Sequence, residues 1–75
     1  MSLKTGVYQH YKGQYYEVLG IAMHTETQED VVVYRSLYGA FELWVRPLTM
    51  FTEMIVYEGK EMPRFAFVSR DAAGV

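Results

Sequence analysis

The stretch that decides the fold is Tyr15-Tyr16-Glu17-Val18-Leu19-Gly20-Ile21-Ala22-Met23-His24. Its apolar residues recur with period two, which is the rhythm of a strand and not of a helix. Tyr16, Val18, Gly20 and Ala22 fall on one face; Tyr15, Glu17, Leu19, Ile21 and Met23 fall on the other. Both faces carry apolar groups, so this strand belongs in the middle of a sheet. Gly20 interrupts it, and a missing side chain inside a strand marks a bend or bulge, as at the corner of a barrel.

The same period continues on either side. Val7 to Tyr11 reads as a first strand, joined to the central one by the turn Lys12-Gly13-Gln14. The polar, acidic run Thr25 to Asp30 is an exposed connection. Val31 to Tyr38 and Phe41 to Arg46 read as a third and a fourth strand about the turn Gly39-Ala40. Pro47 lacks an N–H, so it ends the ladder and starts a short helical turn over Leu48 to Phe51. Glu53 to Tyr57 and Arg64 to Val68 are expected to pair as a hairpin about Glu58-Gly59-Lys60, with Pro63 at an edge. The expectation is an all-β chain, a small SH3-like barrel of five or six antiparallel strands with one short helical turn. Residues 5–68 form its single domain. Residues 1–4 read as a remnant of expression or a flexible start, and residues 69–75 as a flexible tail.

Composition narrows the function classes. Seventy-five residues hold one small core, so stability rests on core quality. With 51% hydrophobic residues, seven Tyr, four Phe and one Trp, the chain has the material for that core. It has no Cys, which excludes disulfides, thiolate zinc sites, iron–sulfur clusters and cysteine nucleophiles, and a reducing cytoplasm is the simplest expected location. No apolar run is long enough to span a bilayer, so a membrane partner is not expected. The formal charge of −2 lacks the basic excess of a protein that lives on phosphate contacts.

The runs YQHYKGQYYEVLGIAMHTET (8–27), VVVYRSLYG (31–39), LWVRPLTMF (43–51) and GKEMPRF (59–65) resemble, in order and spacing, the bacterial family catalogued as domain of unknown function 1653. The resemblance runs from Val7 to Phe67. It implies a stand-alone cytoplasmic bacterial domain with an SH3-type barrel, and it carries no assigned substrate, cofactor or catalytic residue.

The groups that carry chemistry are few. His10 and His24 are the two imidazoles, without the close spacing of a metal motif, and a catalytic metal site would need a carboxylate such as Glu17 or Glu26 beside both. The bland reading of each is a hydrogen-bonded or solvated ring; in His24-Thr25-Glu26 a turn held by local side-chain to backbone bonds explains the trio. Ser36 lies inside a strand, Ser2 and Ser69 lie near the ends, and no G-x-S-x-G, P-loop or G-x-G-x-x-G run occurs. No catalytic residue, metal or cofactor is implied, and an enzyme working alone is not expected.

More distinctive is a set of rings and guanidinium groups, Tyr8, Tyr11, Tyr34, Arg35, Tyr38, Trp44, Arg46 and later Arg64 beside Phe65. Aromatic faces build ligand grooves without a deep cavity, and an Arg fork holds a carboxylate or phosphate. Tyr8, Tyr11, Arg35, Tyr38, Trp44 and Arg46 are the candidate ligand-binding residues. Against this stands a structural reading, in which the rings are core and each Arg is tied to Glu26, Glu29, Glu42 or Glu53. Taken together, the residues point to a non-enzymatic module that recognises a protein segment, or that pairs with itself across an exposed edge strand. The second reading is nucleic-acid binding, with rings stacking on bases while Lys12, Arg35, Arg46 and Arg64 meet phosphates. The third is metal or small-molecule sensing through His10 and His24.

Overall fold

The computed structural model describes residues 3–71. It is all-β with one helical turn, in the order β1 (Gly6–His10), β2 (Tyr15–Met23), β3 (Asp30–Ser36), β4 (Leu43–Pro47), α1 (Leu48–Phe51), β5 (Met54–Tyr57), β6 (Lys60–Pro63) and β7 (Phe65–Ser69). Seven strands therefore replace the expected five or six. They form a five-stranded antiparallel sheet, β4-β3-β2-β1-β7, and a two-stranded ribbon, β5-β6. Among the described residues the large sheet keeps two open edges, β4 and β7, and does not close into a barrel.

The expected final hairpin is where the reading fails. Glu58 and Gly59 both take positive φ, 52° and 79°, and Tyr57 pairs directly with Lys60. A two-residue turn of that hand matches the twist of a hairpin, so it folds Lys60–Pro63 back onto Met54–Tyr57. Phe65–Ser69 is thereby released to pair with β1, His10 standing opposite Phe65 and Tyr8 opposite Phe67. The ribbon is tied to the sheet through Arg64, whose N–H donates to the Glu53 carbonyl at 2.9 Å and whose carbonyl accepts the Tyr11 N–H at 3.0 Å.

β2 takes the central place that its two apolar faces require. Its bend is a bulge: Val18 faces Tyr34 and Gly20 faces Val33, which leaves Leu19 as the extra residue. One extra residue exchanges the two faces beyond it. Ile21, on the opposite face from Val18 in a regular strand, thus packs against the same core as Val18, while Leu19 is 44% exposed.

That core lies on one face of the large sheet, beneath α1. Tyr8, Val18, Val32, Tyr34, Leu48, Phe51 and Phe65 form it, with Leu3, Tyr16 and Ile21 packed around them. Phe51 stacks on Phe65 at 4.1 Å between centroids, and Tyr8 and Tyr34 meet Phe51 edge-on. Aromatic pairs in these geometries add ~0.5–1.5 kcal/mol each beyond burial, which suits a domain with little area to bury. Leu3 and Lys4 belong to this fold: Leu3 touches the core and the Lys4 carbonyl accepts the Tyr8 hydroxyl at 2.8 Å. Of the expected tail, Ser69 closes β7 and residues 72–75 lie outside the described residues, as do residues 1 and 2.

Candidate binding site

Cross-strand register brings the site together. Tyr16 faces Ser36, Tyr34 faces Trp44, and Val32 faces Arg46, so all share the core-bearing face of the sheet. Toward the β4 edge that face is left open. Tyr16, Tyr34, Tyr38, Trp44 and Arg46 line a pocket there of ≈ 220 Å³. Pockets for drug-sized ligands run ~300–1,000 Å³, so this one suits a single side chain or a small head group.

The phenols are fixed. Tyr16 and Tyr38 share a hydrogen bond of 2.8 Å between hydroxyls, and their rings meet edge-on at 5.6 Å. Burial, this hydrogen bond and the neighbouring Tyr38 and Tyr34 push the Tyr16 phenol up to about 12, so it stays protonated and neutral at any ordinary pH. Arg46 Nε donates to the Tyr34 hydroxyl at 3.3 Å, and its guanidinium stands 5.7 Å from the centre of the Phe65 ring. Among the described residues no carboxylate pairs with Arg46; the ion pair they contain is Arg64–Glu53 at 3.7 Å. Trp44, 47% exposed, stands at the rim.

Of the six sequence candidates, Tyr38, Trp44 and Arg46 meet in this pocket. Tyr8 does not line it; it is buried in the core, where burial raises its phenol above the ordinary value. Tyr11 lies elsewhere, in a second pocket of ≈ 240 Å³ with Gln9, His10, Met62, Pro63 and Ala66, its ring edge-on to Tyr57 at 5.1 Å. Arg35 points to the opposite face, since it pairs with Glu17 and Leu43, and its Nη1 donates to the Phe41 carbonyl at 3.0 Å. That bond helps to hold Phe41 in a left-handed backbone, φ 54°, which a bulky residue adopts only at a cost of ~1–2 kcal/mol. The turn at Phe41 also explains why β4 starts at Leu43 and not at Phe41. Tyr16 and Tyr34 complete the pocket; neither stood among the six, though Tyr34 belonged to the wider set of rings and guanidinium groups. The signal for them was their alternation with Val18 and Val32, which could be used only with the strand register in hand.

The imidazoles do not converge. They flank β2 at opposite ends, with its nine residues between them. His24 Nδ1 accepts the N–H groups of Glu26 and Thr27, at 3.1 and 3.3 Å, and so closes the turn. His10 Nδ1 accepts the Lys12 N–H at 3.1 Å, and its ring lies against Tyr11 and Phe65. Burial, then Arg46, Arg64 and Lys12, lower its pKa. Among the described residues no group of three or more His, Asp or Glu is placed to hold a metal ion, and no helix is long and apolar enough to cross a membrane.

Fold and pocket together define a small all-β domain with an open aromatic recess beside one free sheet edge. The family described as protein of unknown function (DUF1653) matches residues 6–67, and the chain belongs to that family. A crystal structure of a DUF1653 protein from Bordetella bronchiseptica is similar at 40% identity and a TM-score of 0.85, over 91% of this chain and 90% of that one. No curated protein matches the sequence.

Proposed function

We propose that this protein is a non-enzymatic binding module, which takes a carboxylate-bearing side chain of a protein segment into the Tyr16–Tyr34–Tyr38–Trp44–Arg46 pocket. The observation that carries this reading is Arg46, a cation held in place by a phenol and an aromatic face with no acid beside it among the described residues. A guanidinium so placed retains donors for an incoming carboxylate, and the rings around it lower the local dielectric that would otherwise screen the pair. The pocket's size favours one side chain over a free metabolite. Nucleic-acid binding has less support, because Arg35 and Arg46 lie on opposite faces of the sheet and cannot track one phosphate backbone.

The test is a titration followed by amide and indole NMR signals, using a pentapeptide with one central Glu, its Gln counterpart and a single-stranded oligonucleotide. Shifts confined to the pocket residues with the Glu peptide, weaker with Gln and absent in Arg46→Met, are expected. Response to neither peptide ends the proposal, and a salt-dependent response to the oligonucleotide alone transfers the site to the nucleic-acid reading.

A further inference from the structure

We infer that β4 is a docking edge for β4 of a second copy of this chain, paired antiparallel about a two-fold axis at Trp44. This rests on the reading of the Arg46 pocket as a carboxylate site and names the acid that fills it, Glu42 of the second copy.

The phase of the backbone comes first. The Ser36 N–H donates to the Glu42 carbonyl at 3.1 Å, and the β3–β4 register continues from there through Arg35–Leu43 and Tyr34–Trp44 to Val31–Pro47. In an antiparallel ladder, hydrogen-bonded and non-bonded pairs alternate. The backbone groups of Trp44 and Arg46 therefore face β3, and those of Leu43, Val45 and Pro47 face outward. Pro47 thus stands where its missing N–H costs the ladder nothing. Leu43 and Val45 are left with two outward N–H and two outward C=O groups, and no described residue meets them. Their side chains are 56% and 64% exposed. Such an edge is a template for another strand.

The sequence selects both partner and register. With the axis at Trp44, Leu43 of each copy lies opposite Val45 of the other, and all four outward groups on each chain are used in four hydrogen bonds. Trp44 then faces Trp44 of the second copy in a close, non-bonded pair. Glu42 falls opposite Arg46 of the second copy, twice, bringing together an acid and a cation that have no ion-pair partner within their own chain among the described residues. An axis at Val45 is worse: it puts Pro47 opposite Leu43, leaves the Leu43 carbonyl without a donor, and gives Glu42 no cation. Beyond Glu42 the chain turns away at the left-handed Phe41, which limits the ladder to this segment. An edge so short buries less than the ~1,200 Å² of a standard interface, so the association is weak and concentration-dependent.

The experiment is sedimentation equilibrium from about 10 µM to about 1 mM, with each variant's thermal melt recorded alongside. Reversible dimerisation of the native chain is expected. Glu42→Arg and Arg46→Glu each place like charges face to face and weaken it by ~10-fold or more, and the double exchange recovers most of that loss. Val45→Pro removes only an outward N–H, so it abolishes pairing while the melt persists. A native chain that stays monomeric while the Glu peptide still binds overturns the self-pairing and leaves the pocket reading intact. A dimer indifferent to Glu42→Arg and Val45→Pro overturns it as well, and loss of both dimer and peptide binding removes the two readings together.

Discussion

Arg46 separates a binding cation from a structural one, and Arg46→Met measures the difference while keeping most of the side-chain stem. Three contributions set the stability change. The hydrogen bond to Tyr34 is long at 3.3 Å, worth ~0.5–1 kcal/mol. The guanidinium over Phe65 at 5.7 Å adds ~0.5–1 kcal/mol. No acid among the described residues is orphaned, so the ~3–5 kcal/mol cost of stranding a buried partner does not arise. The expected loss is ~1–2 kcal/mol, out of ~4–11 kcal/mol for a chain of 75 residues. An unfolding entropy of ~2.1 cal/mol/K per residue turns that into a Tm lowered by ~6–12 °C. His10 gives a second readout. Arg46 is one of the cations that lower its pKa, after burial, so the variant raises it toward the free value, visible in the imidazole resonances. A loss above ~3 kcal/mol, or a His10 titration that does not move, refutes the placement of Arg46 as an unpaired cation facing the recess.

Two further outcomes follow from the backbone and from titration. A Cβ on Gly6, whose φ is 133°, would stand 2.5 Å from the Ser69 carbonyl oxygen and 2.9 Å from the Arg70 Cα, while one on Gly20 would meet nothing within 4 Å. Denaturant melts should therefore place Gly6→Ala at least ~2 kcal/mol below native and Gly20→Ala within ~1 kcal/mol of it, and equal effects would refute the close β1–β7 approach. For pH, Tyr16 and Tyr8 have raised pKa values, so the folded chain keeps protons that the unfolded one releases; stability is full below pH 10 and falls as pH rises toward about 12. His10 has the opposite sign, its stabilisation present above pH 6.5 and lost as pH falls below it. A Tm that stays flat from pH 9.5 to 12 contradicts the alkaline half, and one that rises below pH 6.5 contradicts the acid half.

The parts of the fold that could be read from the chain were those fixed by local chemistry. Pro47 is the last residue of β4 and Leu48–Phe51 forms the helical turn as expected, because a φ preset by the proline ring acts without help from the rest of the molecule. The bend at Gly20 was legible for the same reason. Its consequence was not: whether Leu19 or Gly20 is the extra residue depends on how β3 pairs, and that decides the face of Ile21. The last hairpin was misread because Glu58 gives no signal for positive φ, so Glu58-Gly59 did not announce a two-residue turn. The recess shows the same division. Tyr34, Tyr38, Trp44 and Arg46 were visible as rings and a guanidinium of the expected third and fourth strands, whereas Tyr16 enters through register, and Arg35 leaves because adjacent strand residues point to opposite sides.

The placement of Trp44 has a practical corollary. It is the sole indole of the chain, at the lip of the recess and close to three phenols that absorb at shorter wavelength. Emission from this one fluorophore will report whatever enters beside Arg46, so occupancy can be followed at native sequence with neither dye nor tag.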